Sequence, residues 1–156
     1  MSLENAGRAI LLVAAGILLC AMMVLTVVDV VGRYLLSAPV PGAFEATEIM
    51  LALAIFAGLP IVTARGEHVS VRLVVDHLPP WLQRGLGILG DVMVALLLAG
   101  AAWLLYRRGE TLSEFGDATV LLRIPLAPVA FALMALSAVA AIVAVIRVVQ
   151  PGVPRS

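Results

Sequence analysis

The sequence reads DVVGRY at residues 29–34, PVPGAFEATE at 39–48, IMLALAIFAGLPIVTA at 49–64 and RGEHVSVRLVVD at 65–76. Most of the polar side chains that could make specific contacts lie in this stretch, at the two ends of one hydrophobic segment. The rest of the chain consists almost entirely of hydrophobic runs.

The composition indicates a membrane protein. Of the 156 residues, 63% are hydrophobic and only 13% are charged, whereas a soluble domain has about 45–50% apolar and about 25% charged residues. Such a chain cannot bury its apolar surface within itself, so its solvent must be lipid. The formal net charge of +0 excludes a bulk electrostatic attraction to nucleic acid.

Long runs with few or no charges predict where the chain crosses the bilayer. About 20 helical residues span the ~30 Å hydrocarbon core. We expect an all-α integral membrane protein, in which residues 1–156 form one domain with four transmembrane helices. The predicted spans are residues 9–31, 43–64, 86–106 and 125–148.

The connection between the second and third spans contains apolar residues at 69–78, among which Arg72, Asp76 and His77 are interspersed. Neither a period of 2 nor a period of 3.6 describes this pattern. An open strand edge cannot face lipid, because its backbone groups would have no hydrogen-bond partner. We therefore predict a short helix that lies in the membrane interface.

The acidic residues near the helix ends predict specific contacts. Asp29 and Arg33 are four residues apart with the acid first, an order that favours an ion pair in a helix. Glu45 and Glu48 share one face near the start of the second span, and at least Glu48 lies near hydrocarbon depth, where a carboxylate should face protein or water. Asp91, early in the third span, is either a tolerated N-terminal acid or a buried polar contact.

Two pairs of small residues at a spacing of four suit close helix packing. Ala54 and Gly58 form the pair on the second span, and Ala95 and Ala99 form the pair on the third. We expect these faces to pack against other helices.

The distribution of arginine predicts the orientation. With four spans, both termini lie on one side, together with the loop at 65–84. That side has six arginines and the other has four: Arg8, Arg65, Arg72, Arg84, Arg147 and Arg155 against Arg33, Arg107, Arg108 and Arg123. The positive-inside rule then predicts cytoplasmic termini.

Several chemistries lack the residues they need. A dihaem carrier requires histidines inside the spans, but His68 and His77 both lie in a connection. A quinone-linked disulfide enzyme requires pairs of cysteines, but Cys20 is the only cysteine. We therefore expect no catalytic site, metal, substrate site or cofactor. Within the spans, few polar residues remain beyond the acids near the helix ends, so we expect a helper of another protein that holds the site.

The polar stretch resembles the small membrane subunit of TRAP (tripartite ATP-independent periplasmic) transporters. The similarity is carried by a series of short motifs in a fixed order: Asp29, Arg33, Tyr34, Glu48, Gly58, Arg65, His68, Val69, Val71 and Asp76. An acid often comes soon after the valines in this family, but here the nearest one is Asp76. Where the family often has tryptophan before the second span, this chain has Ala43 and Phe44.

The resemblance implies a multi-pass protein of the bacterial inner membrane. Its partners would be a large membrane subunit with the substrate and sodium sites, a periplasmic solute-binding protein that captures an organic anion, and membrane lipids. We expect one set of residues to meet the large subunit: Asp29, Glu45, Glu48, Ala54, Gly58, Asp91, Ala95 and Ala99. A second set would dock the binding protein: Arg33, Arg107 and Arg108.

Three alternatives remain open from the sequence. The chain could be the small four-span subunit of a tripartite tricarboxylate transporter, although the HVSV sequence at 68–71 favours the TRAP system. It could instead be a four-helix membrane enzyme or electron carrier, or a free-standing oligomeric channel. The transported solute is not encoded here, because its site would lie on another chain.

Overall fold

The computed structural model describes residues 3–65 and 80–149, and within them the chain forms four long helices. These are α1 (Leu3–Leu35), α2 (Ala43–Arg65), α3 (Pro80–Phe115) and α4 (Leu126–Val149). Each is long and apolar enough to cross a membrane. The described residues contain no named strand, so the predicted all-helical class with four candidate membrane spans is confirmed. The predicted interfacial helix at 69–78 lies outside the described residues.

The helices match the predicted spans in order but not always in length. For α2 the agreement is within one residue, whereas α1 and α3 extend beyond their predicted ends. Residues 107–115, expected to belong to a connection, continue α3 as helix. Charged residues end the favourable partitioning into hydrocarbon, but arginine and glutamate are good helix formers, so they do not end the helix. Pro80 stands at the first position of α3, where its missing N–H costs nothing.

In the described chain the helices pack in the spatial order α1, α2, α4, α3. The contacts are between α3 and α4, between α2 and α4, and between α1 and α2. The core is small and built around Leu98, Ala140 and Ala141. Small side chains at the contacts let helix backbones approach closely, which is how membrane helices gain packing energy. No part of the most hydrophobic window of α1 is buried, so α1 leaves most of its surface free.

The row of helices has two ends, which we call the loop end and the terminus end. At the loop end, residues 36–42 connect α1 to α2, and residues 116–125 connect α3 to α4. At the terminus end, α1 begins and α4 finishes. Along α2, the distance from Glu45 at the loop end to Ala64 at the terminus end is about 28 Å at ~1.5 Å per residue. That distance is close to the ~30 Å thickness of the hydrocarbon core.

Candidate functional site

The turn after α1 is held against the helix by Asp29. One carboxylate oxygen of Asp29 accepts a hydrogen bond from Arg33 Nη2 at 2.8 Å, which confirms the predicted ion pair. The other oxygen accepts from the backbone N–H of Val40 at 2.9 Å. The Gly32 carbonyl accepts from the Ala38 N–H at 2.9 Å, and a Cβ at Gly32 would lie 2.6 Å from the Ala38 oxygen. The turn therefore requires glycine at position 32.

The connection between α3 and α4 is a tight hairpin, which we call the α3–α4 hairpin (residues 117–125). Its ends are joined by an isolated bridge between Ala118 and Pro125. The Thr119 N–H donates to the Ile124 carbonyl at 3.0 Å, and the Ile124 N–H donates to Thr119 Oγ1 at 3.0 Å. Arg123 adopts a φ of 52°, which turns the chain back toward α4.

Glu45 binds this hairpin to the start of α2. Its Oε1 accepts from the Leu121 N–H and its Oε2 from the Leu122 N–H, both at 2.9 Å. The Leu122 side chain packs over Gly42, where an added Cβ would overlap it. The sequence placed Glu45 in an interface with a large subunit, but here both carboxylate oxygens bind the chain's own backbone. We call these contacts of Glu45 and Gly42 the loop-end junction.

Arg147 makes the corresponding junction at the terminus end. Its Nη1 donates to the carbonyls of Thr63 and Ala64 at 3.0 and 2.6 Å, near the end of α2. Its Nε lies 4.0 Å from Asp91 Oδ1 on α3, which is an ion pair without a direct hydrogen bond. We call this contact of three helices the terminus-end junction. Asp91, which the sequence left as either a tolerated acid or a polar contact, thus faces a cation of its own chain.

The remaining residues predicted to meet a large subunit are not all accessible. Ala54 is only 9% exposed and packs inside the chain. Gly58 and Ala95 are partly exposed, and Glu48 and Ala99 are exposed. The described structure therefore does not place the whole set on one free surface.

The arginines predicted to dock a binding protein are all exposed. Arg33, Arg107 and Arg108 lie in the loop-end halves of α1 and α3. A cleft of about 450 Å³ at this end is bordered by α1, the first turns of α2 and Leu121 of the hairpin, and Arg33 is among its lining residues. The structure leaves Arg33 accessible from outside, although its Nη2 is paired with Asp29.

The motif residues of the resemblance divide into two groups. Asp29, Arg33, Tyr34, Glu48 and Gly58 are described on α1 and α2, and the backbone of Arg65 forms the last residue of α2. The others lie outside the described residues: His68, Val69, Val71 and Asp76. Among the residues that are described, no group of three His, Cys, Asp or Glu side chains could hold a metal ion.

Sequence reasoning missed the roles of Arg147 and of the hairpin. In the sequence, Arg147 contributes only one of the positive charges on the terminus side. Basic side chains often bind the last carbonyls of their own helix, but no local signal indicates that Arg147 of α4 binds α2. No local signal links Glu45 to Leu121 and Leu122, since 76 residues separate the first pair.

A comparison with protein families resolves the class of this four-helix arrangement. The sequence model of the tripartite ATP-independent periplasmic transporters, DctQ component, matches residues 22–151. The chain belongs to the DctQ family. No curated protein sequence matches it. The match runs from the second half of α1 through α4, and so includes both junctions.

Membership in the DctQ family confirms the resemblance to the small membrane component of TRAP transporters. A DctQ component belongs to a transporter, not to an enzyme family. With its four potential membrane spans, the chain is a multi-pass membrane protein of a transport system. A component of a tripartite system has partner subunits.

Proposed function

We propose that this chain is the membrane scaffold subunit of a sodium-driven TRAP transporter that imports an organic anion. In this proposal it packs beside the large membrane subunit, which carries the solute and sodium sites. It also helps to dock the periplasmic solute-binding protein. The family match and the four-helix fold support this proposal.

One observation in particular favours a scaffold over a solute carrier: five hydroxyl groups on the described helices bond to their own helices. Each donates to the carbonyl four residues earlier, at distances of 2.7 to 3.1 Å: Thr26, Thr47, Thr63, Thr111 and Ser137. Transporter sites instead use unwound backbone and polar side chains that face the substrate. These five hydroxyl groups are thus used within the fold, which supports a solute route on a partner.

The exposed stripe of α2 is our proposed contact with the large subunit. Glu48, Leu51 and Ile55 are all exposed, and their spacing places them on one helix face. Glu48 lies one turn inside Glu45, toward the hydrocarbon. A carboxylate at that depth is costly against lipid, so we expect a hydrogen-bond donor or a cation of the large subunit to face it.

The proposal includes an orientation in the membrane, with the termini in the cytoplasm. Six arginines on the terminus side against four on the other side favour cytoplasmic termini by the positive-inside rule. The loop end, with Arg33, Arg107 and Arg108, then faces the periplasm. That is the side on which a soluble binding protein meets the transporter.

The experiment that tests the function is reconstitution with and without partners. We expect the tagged chain to co-purify with the large TRAP subunit in comparable amounts. Vesicles with both subunits, supplied with binding protein and a sodium gradient, should accumulate the organic anion, and collapsing the gradient should stop uptake. Vesicles with this chain alone are the control. Solute uptake or ion flux by the chain alone would contradict the proposal.

Glu48→Lys tests the interface within the same experiment. Reversing the charge on the exposed stripe should reduce co-purification of the large subunit at least tenfold, because it opposes a facing donor or cation. Glu114→Lys is the matched control, since Glu114 is also exposed but lies beyond the arginine pair near the end of α3. Equal co-purification of both variants would remove Glu48 from the interface.

A further inference from the structure

The α3–α4 hairpin is fixed to the rest of the chain more firmly than a simple connection requires. Backbone bonds between Thr119 and Ile124 and between Asp117 and Leu126 close it at 3.0 Å. Glu45 then holds it from outside through the N–H groups of Leu121 and Leu122. Bonds between a carboxylate and N–H groups are charge-assisted and stronger than neutral ones. The backbone of the tip therefore has a defined position.

The side chains at the tip, in contrast, contact little of the chain. Val120 is 87% exposed and Leu121 is 64% exposed, and nearby Phe44, which lines the same cleft as Leu121, is 82% exposed. We call Phe44, Val120 and Leu121 the apolar tip. A rigid backbone that presents unburied apolar side chains is typical of a contact surface for another molecule.

The position of the apolar tip argues against lipid chains as its occupant. The last turns of α3 contain four charged residues in succession toward the hairpin: Arg107, Arg108, Glu110 and Glu114. Charged side chains of this kind belong in the polar interface of a membrane and not in its hydrocarbon core. From residue 107 to residue 115, α3 advances about 12 Å along its axis. The hairpin follows these charges, so its tip borders water and suits a soluble protein.

We propose that Glu45 is a positioning residue, which holds the apolar tip in place as a contact for the soluble binding protein. This inference rests on the proposed function and makes it more specific. The binding protein would cover Val120, Leu121 and Phe44, while Glu45 itself stays bound to the hairpin backbone. Glu45 thus acts through the hairpin and not by direct contact.

A first measurement tests the positioning without any partner. A spin label is attached to the Val120→Cys variant in a Cys20→Ala background, because Cys20 is the only native cysteine. We expect an ordered spectrum with Glu45 and a clearly more mobile one with Glu45→Gln or Glu45→Ala. Glu114→Gln is the matched control and should leave the spectrum unchanged. An unchanged spectrum in both Glu45 variants would overturn the positioning role.

A second measurement tests the docking role in the complete transporter. Uptake is followed while the concentration of solute-loaded binding protein is varied. For Glu45→Gln we expect an apparent KM for the binding protein about tenfold higher with little change in maximal rate. Val120→Ser with Leu121→Ser should give the same shift, and combining it with Glu45→Gln should add little. The Glu114→Gln transporter should match the wild type.

The other outcomes separate the alternatives. If Glu45→Gln prevents co-purification of the large subunit, or if the label at position 120 is shielded by lipid, the tip has a different occupant and the inference is wrong. A mobile hairpin with an unchanged KM would also overturn the docking role. If the wild-type chain fails to assemble a working transporter, both the proposed function and the docking role are wrong. The spin-label spectra still show, in that case, whether Glu45 holds the hairpin in place.

Discussion

At the scale of single residues, two glycines determine how the loop end closes. Gly32 is required because the chain after α1 returns to within contact distance of the helix. Gly42 has a φ of 76° and also makes room for the Leu122 side chain. The prolines and the glycine of residues 37–42 are typical of a turn. They do not reveal that Gly42 also receives the Leu122 side chain from the α3–α4 hairpin.

Gly42→Ala should therefore destabilise the fold. A left-handed backbone costs an L-residue about 1–2 kcal/mol, and displacement of Leu122 adds to that cost. Unfolding of the purified chain in detergent, followed by circular dichroism, would measure the loss. Gly100→Ala is the control, because Gly100 is helical and has open space around it. We expect that variant to be neutral or up to ~1 kcal/mol more stable; equal losses in both would contradict the argument.

At the scale of elements, the terminus-end junction explains how a sparsely packed helix row stays together. The carbonyls of Thr63 and Ala64, in the last turn of α2, accept hydrogen bonds from Arg147 of α4. The same side chain approaches Asp91 of α3. One arginine thus links three of the four helices where the small core ends.

Arg147→Ala should cost about 1.5–3 kcal/mol of unfolding free energy, since it removes hydrogen bonds from a charged donor to two carbonyls. Asp91→Ala should cost less, about 0–1 kcal/mol, because the pair is 4.0 Å apart and its side chains are 22% and 26% exposed. Denaturant titration in detergent would measure both.

The control for these variants is Arg8→Ala. Arg8 is exposed near the start of α1, and its loss should change stability by no more than ~0.5 kcal/mol. If Asp91→Ala proved more harmful than Arg147→Ala, the ion pair and not the capping of α2 would be the stronger part of the junction.

At the scale of the whole molecule, the fold is an open row and not a closed bundle. The helix α1 contacts mainly α2, and α3 contacts mainly α4, so both outer helices leave broad apolar surfaces free. The loop-end and terminus-end junctions are separated by about the thickness of the hydrocarbon core. Polar contacts thus hold the helices together at these two levels, while the outer helices leave apolar surfaces free between them.

The orientation of the row is testable by cysteine labelling in a Cys20→Ala background. With the loop end in the periplasm, a membrane-impermeant maleimide should label the Val120→Cys variant in intact cells. The Arg8→Cys variant should react only after the cells are permeabilised. The reverse pattern would contradict the predicted orientation and would place the apolar tip away from a periplasmic partner.

The sequence by itself determined the class of protein, the four candidate membrane spans and the ion pair between Asp29 and Arg33. Partitioning into lipid depends on hydrophobicity along a local segment, and an ion pair four residues apart depends only on helix geometry. The same local reasoning gave no signal for the end of the third helix at Phe115, because a helix can continue through charged residues after it leaves the hydrocarbon.

Only the tertiary structure decided which residues from distant segments meet. Glu45 binds the backbone at residues 121–122, and Arg147 binds the end of α2. No periodicity encodes these contacts, because they depend on how the helices pack around one another and where their ends coincide. Local hydrophobicity determines which segments enter the membrane. Three-dimensional packing determines which groups bind the few charged side chains that those segments carry.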